Sequence, residues 1–352
     1  MKIILDARKI DDFGIGEYIK NVFNPLTESG IFNNTVLFNR EHPVDFGGNC
    51  TYIPIASKNY NIFEQLEIPL KMLNNRKYLF FSPHYIYPLA MSNRLIVTIH
   101  DLIHFKFPDF FGPKIKIRAG EYFLKTIRKK SLKIFCVSEN TKNDLIDMFE
   151  FKDEQISVIY NSLNSLFFNL KKESSPISSP YILYTGNIKP HKNVSALIEA
   201  FRLIKPFFKN LKLVLAGAGE KIPEEYIHDD IRDHLITTGY LAREKLINYI
   251  DNAEIFVFPS FYEGFGFPPL EAMARGKAVI SSPEGSLKEI LGKAPLYFDP
   301  YSPQELSEKI ILLLKNKKLR KETEEKGLER AKLFTAKKSV SLYLEELKKL
   351  SD

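Results

Sequence analysis

The chain has 352 residues, which is long enough for two domains that each bury a hydrophobic core. Its longest apolar runs, such as residues 310–314, are far too short to cross a bilayer, so no membrane-spanning segment is expected. The formal net charge of +7 suits an anionic substrate or an anionic membrane surface. The opening residues, MKIILDARKI, predict a first strand and not a signal peptide. Two cysteines without metal-ligand spacing favour a reduced, cytoplasmic location.

The first segments alternate between strands and helices. A strand is predicted at residues 2–5, then a loop to Gly16 and a helix over 17–27. Gly14 and Gly16 stand just before that helix, where they suit either a loop facing a phosphate or sugar or a plain tight turn. Further strands are predicted at 36–38, 51–55 and 78–81, and a helix over 63–73. Its apolar residues have helical spacing: Phe63, Leu66, Leu70 and Leu73.

The segment RLIVTIHDL, residues 94–102, predicts a buried strand that ends in polar side chains. It delivers His100 and Asp101 at its carboxyl end, where ligands bind in open α/β sheets. Both residues are therefore candidates for a site, and His104 is a lesser one. A strand at 134–137 follows, and Ser138 is predicted to cap a helix that runs to residue 149.

Residues 112–133 predict a helix with a strong basic bias, in which Glu121 is the single acid. Its cations are interleaved with isoleucines and aromatic residues. Such a helix is either an ordinary solvated face or an attachment to an anionic membrane surface, where each Lys or Arg contributes about 1 kcal/mol. The sequence leaves both interpretations open, and residues 114–133 define the candidate membrane contact.

A polar, serine- and proline-rich stretch, NLKKESSPISSP, divides the chain at residues 169–180. Residues 1–168 are predicted to form the first domain and residues 181–335 the second. Residues 336–352 are predicted to be a helix that crosses back to the first domain. Strand–helix alternation on both sides of the linker predicts two parallel sheets covered by helices, with a cleft between the domains.

The stretch EIFVFPSFYEGFGFPPLEAMARG, residues 254–276, predicts a buried strand, a glycine-rich loop and a helix. Unpaired backbone N–H groups at such a helix start attract anions. Glu263 lies in the loop, and Glu271 lies about a turn inside the helix. The arrangement predicts a nucleotide site, with phosphates on backbone amides and ribose hydroxyls on a carboxylate.

Further loops of the second domain follow predicted strands and carry glycines or polar side chains. In GNIKPHKN, residues 186–193, Lys192 can reach a diphosphate while the helix start supports the charge. The other loops contain Gly217 with Gly219, Tyr240, and residues 281–287. Together they predict a nucleotide on the second domain, facing the first. With no Asp-x-Asp at a strand end and no His/Cys cluster, no metal is expected.

These residues together resemble the retaining glycosyltransferases of family 4. The carrying segments are EGFGFPPLEAMARG with its Glu263-x7-Glu271 spacing, GNIKPHKN, VTIHDLIHFKFP, CVSENTKNDL and the Gly14-Ile-Gly16 loop. The resemblance extends over nearly the whole chain. It implies an α/β GT-B fold of two facing Rossmann-like domains. It also implies transfer of a sugar from a nucleotide diphosphate to an acceptor hydroxyl, with anomeric configuration kept and no metal or other cofactor required.

The resemblance also implies roles for individual residues. Glu271 would hold the ribose hydroxyls, Glu263 the donor sugar and Lys192 the diphosphate, while His100 would contact the sugar and help to position the reaction. Backbone contacts to sugar and phosphate would come from Phe265, Gly266 and Phe267. The remaining candidates for substrate binding are Gly14, Gly16, Asp101, Asn187, His191, Gly217 and Tyr240. A front-face mechanism, in which the leaving-group oxygen takes the acceptor proton, would make catalysis mainly electrostatic.

The chain departs from the family pattern in one loop. Asn187 stands where many members have a basic residue, and His191 stands where many have arginine. One phosphate-binding cation is therefore absent, or it is replaced by a histidine that is charged only at lower pH.

Two segments, SPHYIYPL and VTIHDLIHFKFP, look most like mannosyltransferases of bacterial surface-polysaccharide assembly. They favour GDP-mannose as donor and a lipid-linked glycan as acceptor, with no nucleic acid partner. A sugar-nucleotide epimerase with the same fold and a non-catalytic sugar-nucleotide-binding subunit stay open as alternatives. The enzyme would act in the cytoplasm or on the inner face of the membrane.

Overall fold

The structure is a computed structural model that describes residues 2–73, 78–111, 114–217 and 222–350. The chain forms two compact units, of which the first contains Met1–Ser162 with Thr335–Asp352 and the second contains Leu163–Phe334. Each unit is built on its own sheet, and every strand pairing in both sheets is parallel. Gly219, Gly112 and the asparagine pair at 74–75 lie outside the described residues.

The first sheet has seven strands in the order β3-β2-β1-β4-β5-β6-β7, and the second has six in the order β10-β9-β8-β11-β12-β13. The strands are β1 (Lys2–Asp6), β2 (Asn33–Asn39), β3 (Cys50–Ile55), β4 (Leu79–Ser82), β5 (Leu95–Ile99), β6 (Lys133–Cys136), β7 (Ile156–Val158), β8 (Tyr181–Thr185), β9 (Lys212–Ala216), β10 (Leu235–Thr237), β11 (Ile255–Phe258), β12 (Val279–Ser281) and β13 (Leu296–Tyr297).

Most of the α-helices lie between successive strands, and the last three follow one another after β13. They are α1 (Phe13–Glu28), α2 (Glu64–Lys71), α3 (Ile103–Lys106), α4 (Lys114–Lys130), α5 (Glu139–Phe149), α6 (Leu166–Asn169), α7 (Val194–Ile204), α8 (Arg243–Asn252), α9 (Phe267–Ala274), α10 (Leu287–Leu291), α11 (Pro303–Lys315), α12 (Lys317–Ala331) and α13 (Ala336–Lys348). None of the described helices is long and apolar enough to cross a membrane.

The first sheet is covered on both faces, as its continuous apolar strands require. One core cluster includes Ile68 of α2 and Leu124 of α4, and the other includes Tyr18 of α1 and Tyr343 of α13. The last helix is therefore part of the first unit. Ser157 donates a hydrogen bond of 2.8 Å to Glu346 of α13, and Lys133 forms an ion pair with the same carboxylate.

Two glycines predicted to lie in a loop instead lie in the first turn of α1, which begins at Phe13. A Cβ at Gly16 would stand 2.1 Å from the carbonyl oxygen of Ile10, so the close approach of helix and loop requires glycine there. Gly14 faces open space instead, with nothing within 4 Å of an added Cβ. A close backbone contact therefore explains Gly16 without any ligand.

Helix α2 exposes the apolar residues whose spacing predicted it. Phe63, Leu66 and Leu70 are each more than 60% exposed, and Ile62 is 72% exposed. Ile68 and Met72 face the core. The helical period is therefore confirmed, but the apolar stripe 62, 63, 66, 70 and 73 lies on the outer face and not in the core.

The units change at Leu163, before the predicted linker at 169–180. Arg275 in the second unit donates hydrogen bonds to the carbonyl oxygens of Phe167 and Leu170, at 3.2 and 2.9 Å. Arg275 also pairs with Asp251 at 2.6 Å. This anchor holds α6 to the second unit, and residues 171–180 that follow contain neither helix nor strand.

Candidate active site

Each sheet contains one point where the direction of winding reverses. In the second sheet β8 lies beside β11, with β9 and β10 added on one side and β12 and β13 on the other. The loops that follow β8 and β11 therefore leave in opposite directions, and ligands of open α/β sheets bind at the carboxyl ends of strands at such a point. The corresponding point of the first sheet lies between β1 and β4.

At the reversal point of the second sheet, a lysine and a carboxylate form an ion pair. Lys192 Nζ lies 2.6 Å from Glu263 Oε1, and the two side chains are only 16% and 13% exposed. The ammonium also lies 5.6 Å from the centroid of the Phe258 ring at the end of β11. The structure thus brings together the residues expected to hold the diphosphate and the donor sugar.

The loop that carries Lys192 is fastened to the neighbouring loop by Asn193. This residue has left-handed backbone angles, with φ of 53°, and precedes α7. Its side-chain amide donates to the carbonyl oxygens of Pro259 and Pro300, at 3.2 and 2.7 Å. The backbone N–H of Phe261 donates to the carbonyl oxygen of His191, which is buried, at 2.8 Å. These bonds fix the separation of the two loops and hence of the pair.

Glu263 is positioned from a third loop, the one that follows β12. The backbone N–H and the hydroxyl of Ser286 both donate to the carbonyl oxygen of Glu263, at 3.1 and 3.0 Å. Gly285 has φ of +58°, and a Cβ there would lie 2.7 Å from the same oxygen. Only glycine therefore lets this loop approach the backbone that carries the carboxylate.

The segment between Glu263 and α9 is held by its aromatic side chains. The Phe265 ring is buried, with its centroid 5.1 Å from that of Phe267 and 5.7 Å from that of Phe334. Gly266 precedes the first residue of α9, and Glu271 is half-buried in the middle of that helix. Because the Phe265 side chain points into the core, contacts of this segment with a ligand fall to its backbone.

The loop that follows β8 is also held by a hydrogen bond from a tyrosine of that strand. The Tyr184 hydroxyl donates to the carbonyl oxygen of Asn187 at 2.7 Å. Burial, together with the charge of Glu263, raises the pKa of this tyrosine well above its ordinary value, so the phenol stays protonated and acts as a donor. The Asn187 backbone is thereby fixed at the site.

The glycines at the ends of β8, β9 and β10 form a row. The Gly186 N–H donates to the carbonyl oxygen of Ala216, and the Gly217 N–H donates to that of Gly239, each at 2.9 Å. Tyr240, the next residue, is exposed. The ends of β8, β9 and β10 therefore each carry a residue without a side chain at the edge of the sheet.

His100 lies in the first unit, at the end of β5. Its Nε2 lies 2.8 Å from the carbonyl oxygen of Pro83, which can only accept, so Nε2 carries the proton and Nδ1 is left as an acceptor. Burial and the charge of Lys9 lower the pKa of His100 to about 4, despite the hydrogen bond to Pro83. His100 is therefore neutral near pH 7 and suits a hydroxyl donor such as a sugar.

The residue after His100 stabilises the local turn. Asp101 Oδ1 accepts a hydrogen bond from the backbone N–H of Ile103 at 3.1 Å, at the start of α3. The Thr141 hydroxyl donates to the carbonyl oxygen of His100 at 3.1 Å, and the hydroxyl of Ser138 accepts from the Thr141 N–H, which confirms the predicted cap of α5.

Sequence reasoning missed a cluster at the reversal point of the first sheet. It consists of Lys9, Tyr60 and His84, beside a buried network of Arg8 with Asp6 and Glu64. The signal available in the sequence was the charged run DARK, residues 6–9, at the end of the first strand.

In the described ranges, no group of three or more His, Cys, Asp and Glu side chains is placed to hold a metal ion. A reaction that needs no metal stays a prediction.

Comparison with known proteins identifies the family. Residues 62–165 match the model described as Glycosyltransferase Family 4, and residues 167–330 match the model for glycosyl transferases group 1. The chain belongs to glycosyltransferase family 4. The resemblance seen in the Glu263-x7-Glu271 segment and the Lys192 loop is thereby confirmed, and with it a transferase activity.

The family 4 chain has relatives of known name over most of its length. It is 27% identical over 300 residues to O-antigen chain mannosyltransferase B of Escherichia coli, which covers 80% of this chain and 77% of that protein. It is 29% identical over 250 residues to O-antigen chain mannosyltransferase RfbU of Salmonella typhimurium, covering 70% and 67% of the two chains.

Solved structures agree on the fold. HepE from Anabaena, crystallised with UDP and glucose, superposes with a TM-score of 0.77 at 16% identity, over 99% of this chain and all of that one (100%). The predicted fold class, α/β of the GT-B type, is confirmed by this likeness and by the two parallel sheets.

Proposed function

We propose that this family 4 glycosyltransferase transfers a mannosyl group from GDP-mannose to a hydroxyl of a growing, lipid-linked surface glycan, with the anomeric configuration kept. Two relatives at 27% and 29% identity are named as O-antigen chain mannosyltransferases, which supports the sugar and the class of acceptor. HepE, which shares the fold, binds UDP and glucose. The choice of guanine rests on the mannosyl donor that the relatives' names favour.

The ion pair of Lys192 with Glu263 carries the proposal. A donor has its anomeric carbon and its diphosphate joined by one C–O bond, so a sugar-binding carboxylate and a phosphate-binding ammonium must lie side by side. The two groups are 2.6 Å apart. When the donor binds, Lys192 exchanges Glu263 for the diphosphate, and the carboxylate is released to accept hydrogen bonds from the sugar hydroxyls.

The proposed reaction is a front-face displacement. The anomeric C–O bond breaks, its electron pair leaves with the diphosphate oxygen, and the acceptor oxygen bonds to the same face of the carbon. The acceptor proton passes to the departing oxygen. Lys192 and the N–H groups at the start of α7 stabilise the negative charge that grows on the diphosphate, which is the main catalytic contribution.

The nucleoside is assigned to the glycine row and α9. Glu271 is proposed to accept hydrogen bonds from both ribose hydroxyls, and the side-chain-free edge at Gly186 and Gly217 leaves room for the backbone to approach the phosphates. Tyr240, exposed at the end of β10, is proposed to lie beside the base.

A thermal-shift panel of GDP, UDP, ADP and dTDP sugars tests the donor. We expect GDP-mannose to raise the melting temperature most, and Glu271→Ala to abolish the shift while the unliganded protein melts as before. An unchanged affinity of Glu271→Ala for every nucleotide sugar would overturn the site assignment. NMR of the product then tests retention through the anomeric configuration.

The same protein distinguishes the two rival functions. An epimerase converts its donor with no acceptor present, whereas the transferase requires an acceptor hydroxyl. A non-catalytic subunit binds GDP or UDP yet turns over no donor with any acceptor. We expect transfer of the sugar that occurs only with acceptor, which excludes both rivals.

We further propose that the first unit attaches to an anionic membrane surface through α4 and α2. Six cations of α4 are exposed: Lys114, Lys116, Arg118, Lys125, Lys129 and Lys130. Helices α2 and α4 both contribute to one core cluster of the first unit, and both contact the 3₁₀ turn Leu89–Arg94. The exposed stripe of α2 therefore lies in the same layer as the cations, so apolar insertion accompanies charge attraction.

Flotation with vesicles tests this contact. We expect binding to anionic vesicles and little to neutral ones, with a loss of about tenfold in Lys129→Glu/Lys130→Glu and in Leu66→Ser/Leu70→Ser. The matched control is Phe207→Ser, which removes an apolar side chain that is 68% exposed in the second unit. Equal binding to anionic and neutral vesicles would reject the membrane contact.

A further inference from the structure

Lys9 in the first unit is a buried cation that the proposed reaction does not use. Its residue is 6% exposed and follows β1. The ammonium donates a hydrogen bond to the Tyr60 hydroxyl and lies 3.8 Å from the centroid of that ring. Within the part of the chain that the structure describes, Lys9 forms no ion pair with a carboxylate at 4 Å or less. A buried charge without a counter-ion is costly, so Lys9 requires an explanation.

Two of the carboxylates near Lys9 already have a partner, which is Arg8. The guanidinium contacts both oxygens of Asp6, each at 2.8 Å, and contacts Glu64 Oε2 at 2.8 Å. All three side chains are at least nine-tenths buried. Two carboxylates and one arginine leave a net negative charge near Lys9, and Asp12 adds to it. These charges favour the protonated lysine, but none of them forms an ion pair with it at 4 Å or less in the described residues.

The position of Lys9 is one where ligands bind. It follows β1 at the reversal point of the first sheet, and His84 follows the adjacent strand β4. Tyr60 brings the two together, because its ring also packs edge-on against the His84 ring with the centroids 5.6 Å apart. Tyr60 itself is 52% exposed, so the cluster opens to solvent at this residue.

His84 adds a neutral donor to the cluster. Its Nδ1 accepts a hydrogen bond from the Ile86 N–H at 3.1 Å, which places the ring proton on Nε2. Burial, and then the charge of Lys9, lower the pKa of His84 well below its ordinary value, so the imidazole is neutral at pH 7. The cluster therefore combines an ammonium, a phenol and an imidazole N–H, each of which can donate a hydrogen bond.

We propose that Lys9, Tyr60 and His84 form an anion-binding subsite that receives a phosphate or a carboxylate carried by the acceptor substrate. An anion supplies the counter-ion that Lys9 lacks, and the phenol and the imidazole N–H complete its hydrogen bonds. That the anion belongs to the acceptor rests on the proposed function, whereas anion binding at Lys9 does not. A phosphate would come from the lipid carrier and a carboxylate from an acidic sugar.

The protonation of Lys9 gives this subsite a second signature. Burial lowers the pKa of Lys9 to about 7, with Arg8 acting in the same sense and with Asp6, Asp12 and Glu64 opposing it. The neighbouring elements contribute Tyr60, His84 and His100, which are all uncharged at pH 8. A bound anion raises the pKa of Lys9, so binding at pH 8 is accompanied by uptake of a proton.

Calorimetry on the full chain tests the subsite, in a Lys192→Met background that removes the diphosphate cation of the second unit. The probes are geranyl phosphate for the lipid source and methyl glucuronide for the sugar source. At pH 8, in two buffers of different ionisation enthalpy, we expect one probe to bind with proton uptake. Lys9→Met is expected to weaken that binding at least tenfold, and Tyr60→Phe to weaken it severalfold. The matched control is Lys58→Met, which changes an exposed lysine of the loop that carries Tyr60.

Each outcome of the calorimetry either supports or overturns the proposed subsite. Binding of either probe that is lost in Lys9→Met supports the subsite and identifies the source of the anion. Equal affinity in Lys9→Met and Lys58→Met overturns it, as does the failure of both probes. If Lys9→Met does not fold, NMR of ¹³C-labelled lysine in the unsubstituted chain decides, and a Lys9 signal unmoved by either probe overturns the proposal. Loss of GDP-mannose binding in Glu271→Ala reports on the proposed function alone.

Discussion

The two units have the same winding and the same kind of residue at the reversal point, but different charge balance. Lys192 follows β8 and Lys9 follows β1, and both ammonium groups are largely shielded from solvent. In the second unit a carboxylate lies 2.6 Å from the ammonium. In the first unit Arg8 holds Asp6 and Glu64, and the lysine has a phenol as its hydrogen-bond partner.

This difference predicts two modes of ligand binding. At Lys192 the ligand replaces an existing partner, so the net gain depends on how much better a diphosphate pairs than Glu263 does. At Lys9 the ligand supplies a missing partner, so each contact with an anion contributes more to the binding free energy. This contact also requires the lysine to be protonated. The strand order determines where in each sheet a ligand binds, and the neighbouring charges determine which ligand can bind there.

The strongest test of this comparison is to remove Lys192, the lysine of the second unit. Lys192→Met leaves the leaving diphosphate without its main cation, and we expect kcat to fall about 1,000-fold, or about 4 kcal/mol. Steady-state kinetics with GDP-mannose and acceptor measure the loss. The control is Lys189→Met, which changes an exposed lysine of the same loop. A fall of less than tenfold in Lys192→Met would show that this cation does not support the departing diphosphate.

The second test disturbs the network that keeps the carboxylates away from Lys9. Glu64→Gln removes one of the two carboxylates that pair with buried Arg8, and we expect the first unit to lose about 3 kcal/mol of stability. Urea unfolding measures the change. Glu150→Gln is the contrast, because its pair with Arg128 has a carboxylate side chain that is 85% exposed and should contribute less than about 1 kcal/mol. Equal effects would contradict the assigned role of the network.

The sequence predicts much of the second unit because its signals are local. The strand and the helix predicted within residues 254–276 are observed as β11 and α9, and Ser138 in the first unit caps α5 as expected. Glu263 and Lys192 each lie in a loop that follows an apolar strand, so the parallel sheet brings them together at one edge. Local sequence patterns are sufficient to predict a contact that follows directly from the order of strands in a parallel sheet.

Features that depend on distant neighbours were not predictable. The spacing of Leu66 and Leu70 identifies α2 but cannot say which face is covered, because that depends on where the sheet and α4 lie. Lys9 looks like an ordinary surface lysine until Tyr60, far along the chain, covers it. Gly16 looks like a loop glycine until the carbonyl oxygen of Ile10 is seen beside it.

The third test concerns how tightly Glu263 is placed. Gly285→Ala adds a Cβ 2.7 Å from the Glu263 carbonyl oxygen at a φ of +58°, so we expect about 2 kcal/mol of destabilisation and a tenfold fall in kcat/KM. The control is Gly292→Ala, at a similar φ of +63°. Its Cβ meets only the side chain of Arg330, so this variant introduces the backbone strain without a clash against backbone. If both variants keep the same activity, the contact with Gly285 does not position the carboxylate.

The smallest effect expected of a substitution is electrostatic and links Lys9 to His100. Because the pKa of about 4 in the folded chain lies below the ordinary 6.5, the unfolded chain binds a proton between those pH values that the folded chain does not. Stability should therefore fall as the pH drops from about 6.5 to 4, by no more than about 3 kcal/mol from this residue. NMR titration of the imidazole measures the pKa directly. Lys9 contributes to the lowering, so Lys9→Met should raise the pKa of His100. A pKa of His100 that stays the same in Lys9→Met would mean that the buried ammonium does not act on this histidine, and that the cluster of the first unit is divided into independent sites.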